Sequence, residues 1–198
     1  MDAGIVLVEG AVMIRPTHPA DAAQAYAALH ESTAELSVWL PGLAAAHSPD
    51  VVEAWIQADQ VAWAAGTDYH FAVLDVRTEV YLGGCGLTRI HPMHRFANLY
   101  YWVRSSRSGE GIATIATRLV VHYGLVQLGL NRIEIVVAVG NRASIRVAEK
   151  VGATREGILR CRIALPHGIS DALMFSLIPA DLRSDPATTA PKESPKVQ

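Results

Sequence analysis

The sequence predicts a mixed α+β fold: one domain with one central sheet and helices around it. Three observations lead there. The apolar period is helical through the first third, changes to two from Tyr69, and then alternates between helix and strand. At 198 residues the chain suits one domain. Hydrophobic residues make up 51% of it, enough for a sizeable core and far from a disordered composition.

The elements follow in order. Residues 12–16 read as a short strand closed by Pro16. An alanine-rich helix is expected over 21–30, and a second short one over 33–39, stopped by Leu40-Pro41-Gly42. Ser48 caps a longer helix with Pro49 in its first turn. Val52, Trp55, Ile56, Asp59 and Trp63 keep helical spacing in it as far as Gly66. Strands are expected over 69–74, 81–90 and 98–103, with Gly83-Gly84 marking a bulge or a close backbone approach. After Gly111 the helical period returns through Ile112, Ala116, Leu119, Val120 and Tyr123, and ends near Gly129. The β-branched run 133–139 is a strand, and 142–151 a helix closed by Gly152. Residues 156–163 and 170–178 form an antiparallel pair. The domain spans 1–183, and the stretch 184–198, rich in Pro, Ser, Thr and Lys, is expected to be a disordered tail.

Composition excludes several classes. No run of eighteen apolar residues occurs, so no membrane partner is expected. The first residues carry acids where a signal peptide has a basic region, which predicts a cytoplasmic protein. Cys85 and Cys161 are two cysteines flanked by strand-like residues, read as buried thiols rather than a disulfide framework. The net charge of −2 speaks against nucleic acid as a partner. Its distribution is uneven: four arginines face eleven carboxylates in residues 1–100, while ten cations face four carboxylates in 101–162. Such asymmetry suits an anion held by the second half and a cationic partner met by the first.

Two stretches carry chemistry. From Tyr101 to Thr114 a strand enters a turn rich in serine and glycine, and a helix leaves. The amides of such a turn and of the first helical turn have no partners within the helix, and the helix dipole adds positive potential. This is the physics of a phosphate cradle. Gly109 and Gly111 let the backbone approach an anion, with Arg104 and Arg107 beside it; an ordinary glycine turn is the plainer alternative. One strand later, Asn141 can cap the next helix, and Ser144 in its first turn has a hydroxyl that could face a crevice.

Gly111-Ile112-Ala113, Asn141-x-x-Ser144 and the intervening Leu128-Gly129-Leu130-Asn131-Arg132-Ile133 together resemble the GNAT acetyltransferases, and among them the RimJ/RimL group of ribosomal-protein N-terminal acetyltransferases. His30-Glu31-Ser32, Trp39-Leu40-Pro41, Tyr101-Trp102-Val103, Glu149-Lys150-x-Gly152, Glu156-Gly157 and Asp171 extend the resemblance over residues 10–182. It implies a mostly antiparallel sheet splayed between its middle strands, with acetyl-CoA as cosubstrate and no metal. It also implies that pantetheine pairs with the backbone at Val103, and that the pyrophosphate rests on the amides of Gly109, Glu110, Gly111, Ile112, Ala113 and Thr114. Asn141 would bond the pantetheine arm and Ser144 would protonate the departing thiolate. Arg142 or Arg146 would meet the 3′-phosphate, and a homodimer is expected. Where the family carries Arg or Gln, this chain has Ser108, and Arg107 is the substitute one residue earlier.

Acetyl transfer to an amine needs a neutral nucleophile, a polarised carbonyl and an outlet for the thiolate. An α-amino group, with a reference pKa of about 7.7–8.0 against about 10.4 for lysine, is partly neutral near pH 7. A weak base then suffices for a protein N-terminus, and strand 98–103 carries no carboxylate. Glu156 and His70 are the titratable candidates for that base. Glu31, Trp39 and His70 are the candidates for the acceptor side. His91-x-x-His94 has no third ligand nearby in sequence, so a metal there is not expected. The expected activity is acetylation of a protein N-terminus. A small amine as acceptor, or a non-catalytic acyl-CoA-binding module, are the alternatives.

Overall fold

The computed structural model describes residues 4–184; the rest of the expected tail lies outside the described residues. Strands β1 (Leu7–Glu9) and β2 (Val12–Pro16) form a hairpin, and helices α1 (Ala22–Glu31), α2 (Thr33–Trp39), α3 (Pro41–Ala44) and α4 (Pro49–Ala65) follow. Then come β3 (Tyr69–Asp75), β4 (Tyr81–Thr88), β5 (Phe96–Val103), α5 (Ile112–His122), β6 (Arg132–Ala138), α6 (Arg142–Lys150), β7 (Thr154–Leu165) and β8 (Gly168–Leu177). All eight strands join one sheet in the order β1-β2-β3-β4-β5-β6-β8-β7. Every pairing is antiparallel except β5 with β6, which is parallel and covers only Phe96↔Arg132, Ala97↔Ile133 and Asn98↔Glu134.

Local chemistry sets the element ends. Ser48 accepts from the Val51 amide and caps α4 at one end; Gly66, at φ +70°, closes it at the other. Two apolar layers then hold the helices to the sheet. On one face, Phe71, Val73, Leu87 and Ile133 pack with Val120 of α5. On the other, Ala72, Leu74 and Trp102 pack under α1 and α4 through Ala28, Leu29 and Ile56. Each large apolar side chain so buried contributes roughly 1.5–3 kcal/mol. The Gly83-Gly84 approach is real: a Cβ on Gly84 would lie 2.7 Å from the Trp102 indole nitrogen.

Several details differ from the sequence expectation, among them the short helix α3 that begins at Pro41, where only a stop was expected. β1 was not expected, because three residues are too short to display a period and form a strand only by pairing with β2. The helix after Gly111 finishes as a π turn over Tyr123–Gln127. The last is a correction: Cys85 is buried but Cys161 is exposed, because it sits at an irregularity of the edge strand β7 with φ +49°.

Candidate active site

β5 and β6 part after Asn98. From Leu99 to Val103 the strand keeps its partner β4, with Val103 opposite Gly83, but has no register with β6. The chain then turns through a 3-10 segment (Ser105–Arg107) into α5. Gly109 and Gly111 take φ of +85° and +82°, a region that other residues enter only with strain, and a Cβ on either would meet no atom within 4 Å. Gly111 is the N-cap of α5 and supplies no side-chain cap. The amides of Ile112, Ala113 and Thr114 therefore head a helix whose end is left to an outside acceptor. Such a cradle fits a pyrophosphate.

Arg107 and Glu110 pair with each other across this turn, at 2.8 Å. The guanidinium holds the Glu110 carboxyl below its ordinary range. Glu110 is thereby kept from presenting an uncompensated negative charge at the cradle.

The opposite wall is the start of α6. The Asn141 oxygen accepts from the Ser144 amide at 3.1 Å, so the capping reading holds, and this bond uses only one end of the side-chain amide. Ser144 Oγ lies 2.8 Å from the Tyr101 hydroxyl, which also donates to the Ser144 carbonyl at 3.0 Å. A phenol has one hydrogen. When it goes to the carbonyl, Ser144 donates to the phenol; when it goes to Oγ, the serine proton is released to a third group. Burial pushes the Tyr101 phenol up to about 12, partly opposed by Ser144, so it stays protonated near neutrality. Tyr101 was missed in the sequence, although Leu99, Tyr101 and Val103 share one face by their spacing of two.

Helices α1 and α2 buttress the exit of β5. Glu31 pairs with Arg104 and accepts from the Ser106 amide at 2.8 Å. Those two contacts, Arg104 first, hold its carboxyl at about 2. Glu35 accepts from Ser105 Oγ at 2.7 Å, and buried Ser32 accepts from the Ser105 amide at 3.0 Å. The Trp39 ring reaches Gly140 beside Asn141, where a Cβ would approach it to 3.2 Å. Glu31 and Trp39 thus sit at the open end of the β5–β6 gap. His70 does not join them: it faces Tyr100, three register positions below Val103, roughly 10 Å along the strand.

Glu156 needs a correction as a candidate base. It takes a bidentate pair from Arg132 at 2.5–2.6 Å and a hydrogen bond from Ser176 at 2.7 Å. These hold its carboxyl at about 2, which makes it a feeble base. Arg132 also pairs with Phe96 in the ladder, so Glu156 belongs to the closed end of the β5–β6 gap, away from Ser144. His91 and His94 pack ring on ring, and no cluster of three metal-ligating side chains exists among the described residues.

Comparison with known proteins agrees with this geometry. Residues 11–154 match the family described as the acetyltransferase (GNAT) domain. The chain is 28% identical over 177 residues, 84% of its length and 91% of the relative's, to a Bacillus subtilis protein named "Putative ribosomal N-acetyltransferase YdaF". It is 29% identical over 97 residues, 49% of its length and 54% of the relative's, to the Escherichia coli ribosomal-protein-serine acetyltransferase. Mycobacterium smegmatis RimJ, solved with a CoA disulfide, superposes with a TM-score of 0.80 at 25% identity over 86% of this chain and 83% of that one. An open β5–β6 gap between an uncapped helix and a serine–tyrosine pair, together with a family match over most of the chain, makes this protein a member of the GNAT acetyltransferase family and an N-acetyltransferase.

Proposed function

We propose that the chain transfers the acetyl group of acetyl-CoA to the N-terminal α-amino group of a protein, with ribosomal proteins as the acceptor class. The Tyr101–Ser144 pair at the open end of the gap carries the reading, because it supplies a proton donor opposite an anion cradle. The acceptor class is supported by the names of relatives that share most or half of the chain's length.

Acetyl-CoA supplies the activated acetyl thioester; the amides of Gly109 to Thr114 would hold its pyrophosphate, and the Asn141 amide would meet its pantetheine arm. Val103 offers backbone groups on the side that β6 leaves. The amine attacks the thioester carbonyl carbon, the C–S bond breaks, and Ser144 Oγ–H gives its proton to the sulfur. Tyr101 then refills Oγ and takes a proton back from solvent, and the ammonium proton of the product-forming step leaves to solvent. Glu31 and Glu35 set acidic groups on the acceptor side, and Trp39 forms a wall there.

The test is acetylation of a library of N-terminal peptides beside a panel of small amines, read by mass spectrometry. Acetyl groups on peptide α-amines support the reading. Acetylation confined to the small amines overturns the acceptor, and tight acetyl-CoA binding without any product overturns the enzyme.

A further inference from the structure

A cavity of about 200 Å³ lies near the closed end of the β5–β6 junction, between the loop that joins β4 to β5 and the turn that joins α5 to β6. Tyr69, Ile90, His91, Arg95, Leu128 and Leu130 line it, and among the described residues no acidic side chain does. Its polar side chains offer donors. The Arg95 guanidinium donates from one nitrogen to the Leu128 carbonyl at 3.3 Å and has no carboxylate partner among the described residues. The Tyr69 hydroxyl makes no hydrogen bond to a described residue, and burial pushes its pKa up, so it keeps its proton near neutrality. The His94 amide donates to His91 Nδ1 at 3.1 Å, which puts the proton of the neutral ring on Nε2. The setting is also rigid. Arg95 takes φ +53°, a left-handed backbone that an arginine holds only where its surroundings impose it. Its amide donates to the His91 carbonyl and its carbonyl accepts from the Asn131 amide, both at 2.7 Å. Gly129, at φ +62°, leaves room for the guanidinium: a Cβ there would lie 2.6 Å from Nη2.

Donors on one part of the wall and aliphatic side chains on the rest fit an anion with an apolar end. The planar guanidinium fork matches a carboxylate, and such charge-assisted bonds are among the stronger ones. A phosphate, polar on every side, would leave Ile90, Leu128 and Leu130 without a partner. A volume of about 200 Å³, against about 30 Å³ per water in the liquid, takes about six or seven heavy atoms. We propose that this cavity binds a small monocarboxylate with a short hydrocarbon tail, its carboxylate on Arg95 and the Tyr69 hydroxyl and its tail against Ile90, Leu128 and Leu130. None of these residues belongs to the cradle or to the Tyr101–Ser144 pair, so the ligand is not a substrate of acetyl transfer. Bound there, it fastens the β4–β5 loop to the α5–β6 turn.

The experiment uses the isotope-labelled full chain without acetyl-CoA and follows the amide resonances of Gly66 and Leu130 during titration with sodium pentanoate near neutral pH, at ionic strength held constant with chloride. The expected result is a saturable shift of both, with affinity at least tenfold weaker in Arg95→Gln. Pentanol, which has the tail without the charge, and inorganic phosphate, which has charge without the tail, should each bind at least tenfold more weakly than pentanoate. A flat pentanoate titration, an equal response to pentanol or to phosphate, or shifts confined to the amides of Ile112 to Thr114 overturns the proposal. So does unchanged affinity in a folded Arg95→Gln. The arms on the unmodified protein decide the matter even where that variant fails to fold. Because no cosubstrate is present, the outcome is independent of the acetyltransferase reading.

Discussion

The two ends of the β5–β6 junction use the same pair of strands for opposite purposes. At one end three parallel residue pairs close the gap, and beside it Arg132 of β6 gathers Glu134 of its own strand and Glu156 of β7. At the other the strands part, and besides the Arg104–Glu31 and Arg107–Glu110 pairs the polar groups there include an uncapped helix, Tyr101 and Ser144. At the closed end the charged groups satisfy one another; at the open end the donors are oriented but keep capacity for a ligand. The contrast teaches that an ion pair within the family's motif is not evidence of catalysis. Glu156 belongs to the fastening, and Ser144 to the opening.

The largest effect should come from the open end. Ser144→Ala removes the proposed proton donor to the thiolate, so kcat should fall about a hundredfold. Acetyl-CoA affinity should hardly change, since the hydroxyl matters as charge develops on sulfur. Normal turnover would place Ser144 with Glu156 among structural groups and erase the contrast. Gly111→Asp puts a negative charge at the cradle, and calorimetry should show acetyl-CoA binding at least tenfold weaker, about 1.4 kcal/mol. Gly111→Ala, which shares the backbone strain without the charge, separates the two causes. Tyr101→Phe keeps the ring and deletes the hydroxyl; kcat should fall several-fold with the acetyl-CoA dissociation constant unchanged. A change confined to the melting temperature would make the tyrosine a packing group only.

The closed end should respond in stability rather than in rate. Glu156 is held at about 2 against an ordinary 4.5, so its contribution is present above pH 4.5 and is lost as pH falls toward 2. Glu156→Gln should flatten the stability curve across that window, by no more than about 1 kcal/mol because the pair is partly exposed. Turnover near neutrality should be unchanged. Arg107→Ala should do least: with its guanidinium already on Glu110, acetyl-CoA affinity should change less than threefold. A tenfold loss would show that Arg107 does stand in for the arginine or glutamine that Ser108 replaces.

Much of this was legible in the sequence. The change of period at Tyr69 and the caps at Ser48 and Gly66 locate helices and strands, because each depends on residues near in the chain. The cradle was legible for the same reason, since Gly109 to Thr114 is one local turn. What stayed hidden needs distant residues to meet. Tyr101 finds Ser144 across 43 positions, and Arg104 finds Glu31 across 73. Glu156 looked available until β8 set Ser176 and β6 set Arg132 beside it. Exposure of Cys161 likewise depends on β7 being the sheet's last strand.

Ser32 has a consequence for the order of events in a catalytic cycle. Its buried hydroxyl donates to the Ala28 carbonyl at 2.7 Å and accepts from the Ser105 amide, so one small side chain ties the end of α1 to the exit of β5. Glu31 and Glu35 repeat the tie on either side, through Arg104, Ser106 and Ser105. Helices α1 and α2, the proposed acceptor wall, are therefore fastened to the segment that leads into the proposed anion cradle. Under the proposed function, a ligand that stiffens the cradle would also stiffen the acceptor wall, so part of the ordering cost of the second ligand would already be met. Reciprocity requires that an acceptor bound first return the same advantage to the cosubstrate. On that reading, synergy between two substrates would come from the joint between two short helices, at a distance from the bond that is made.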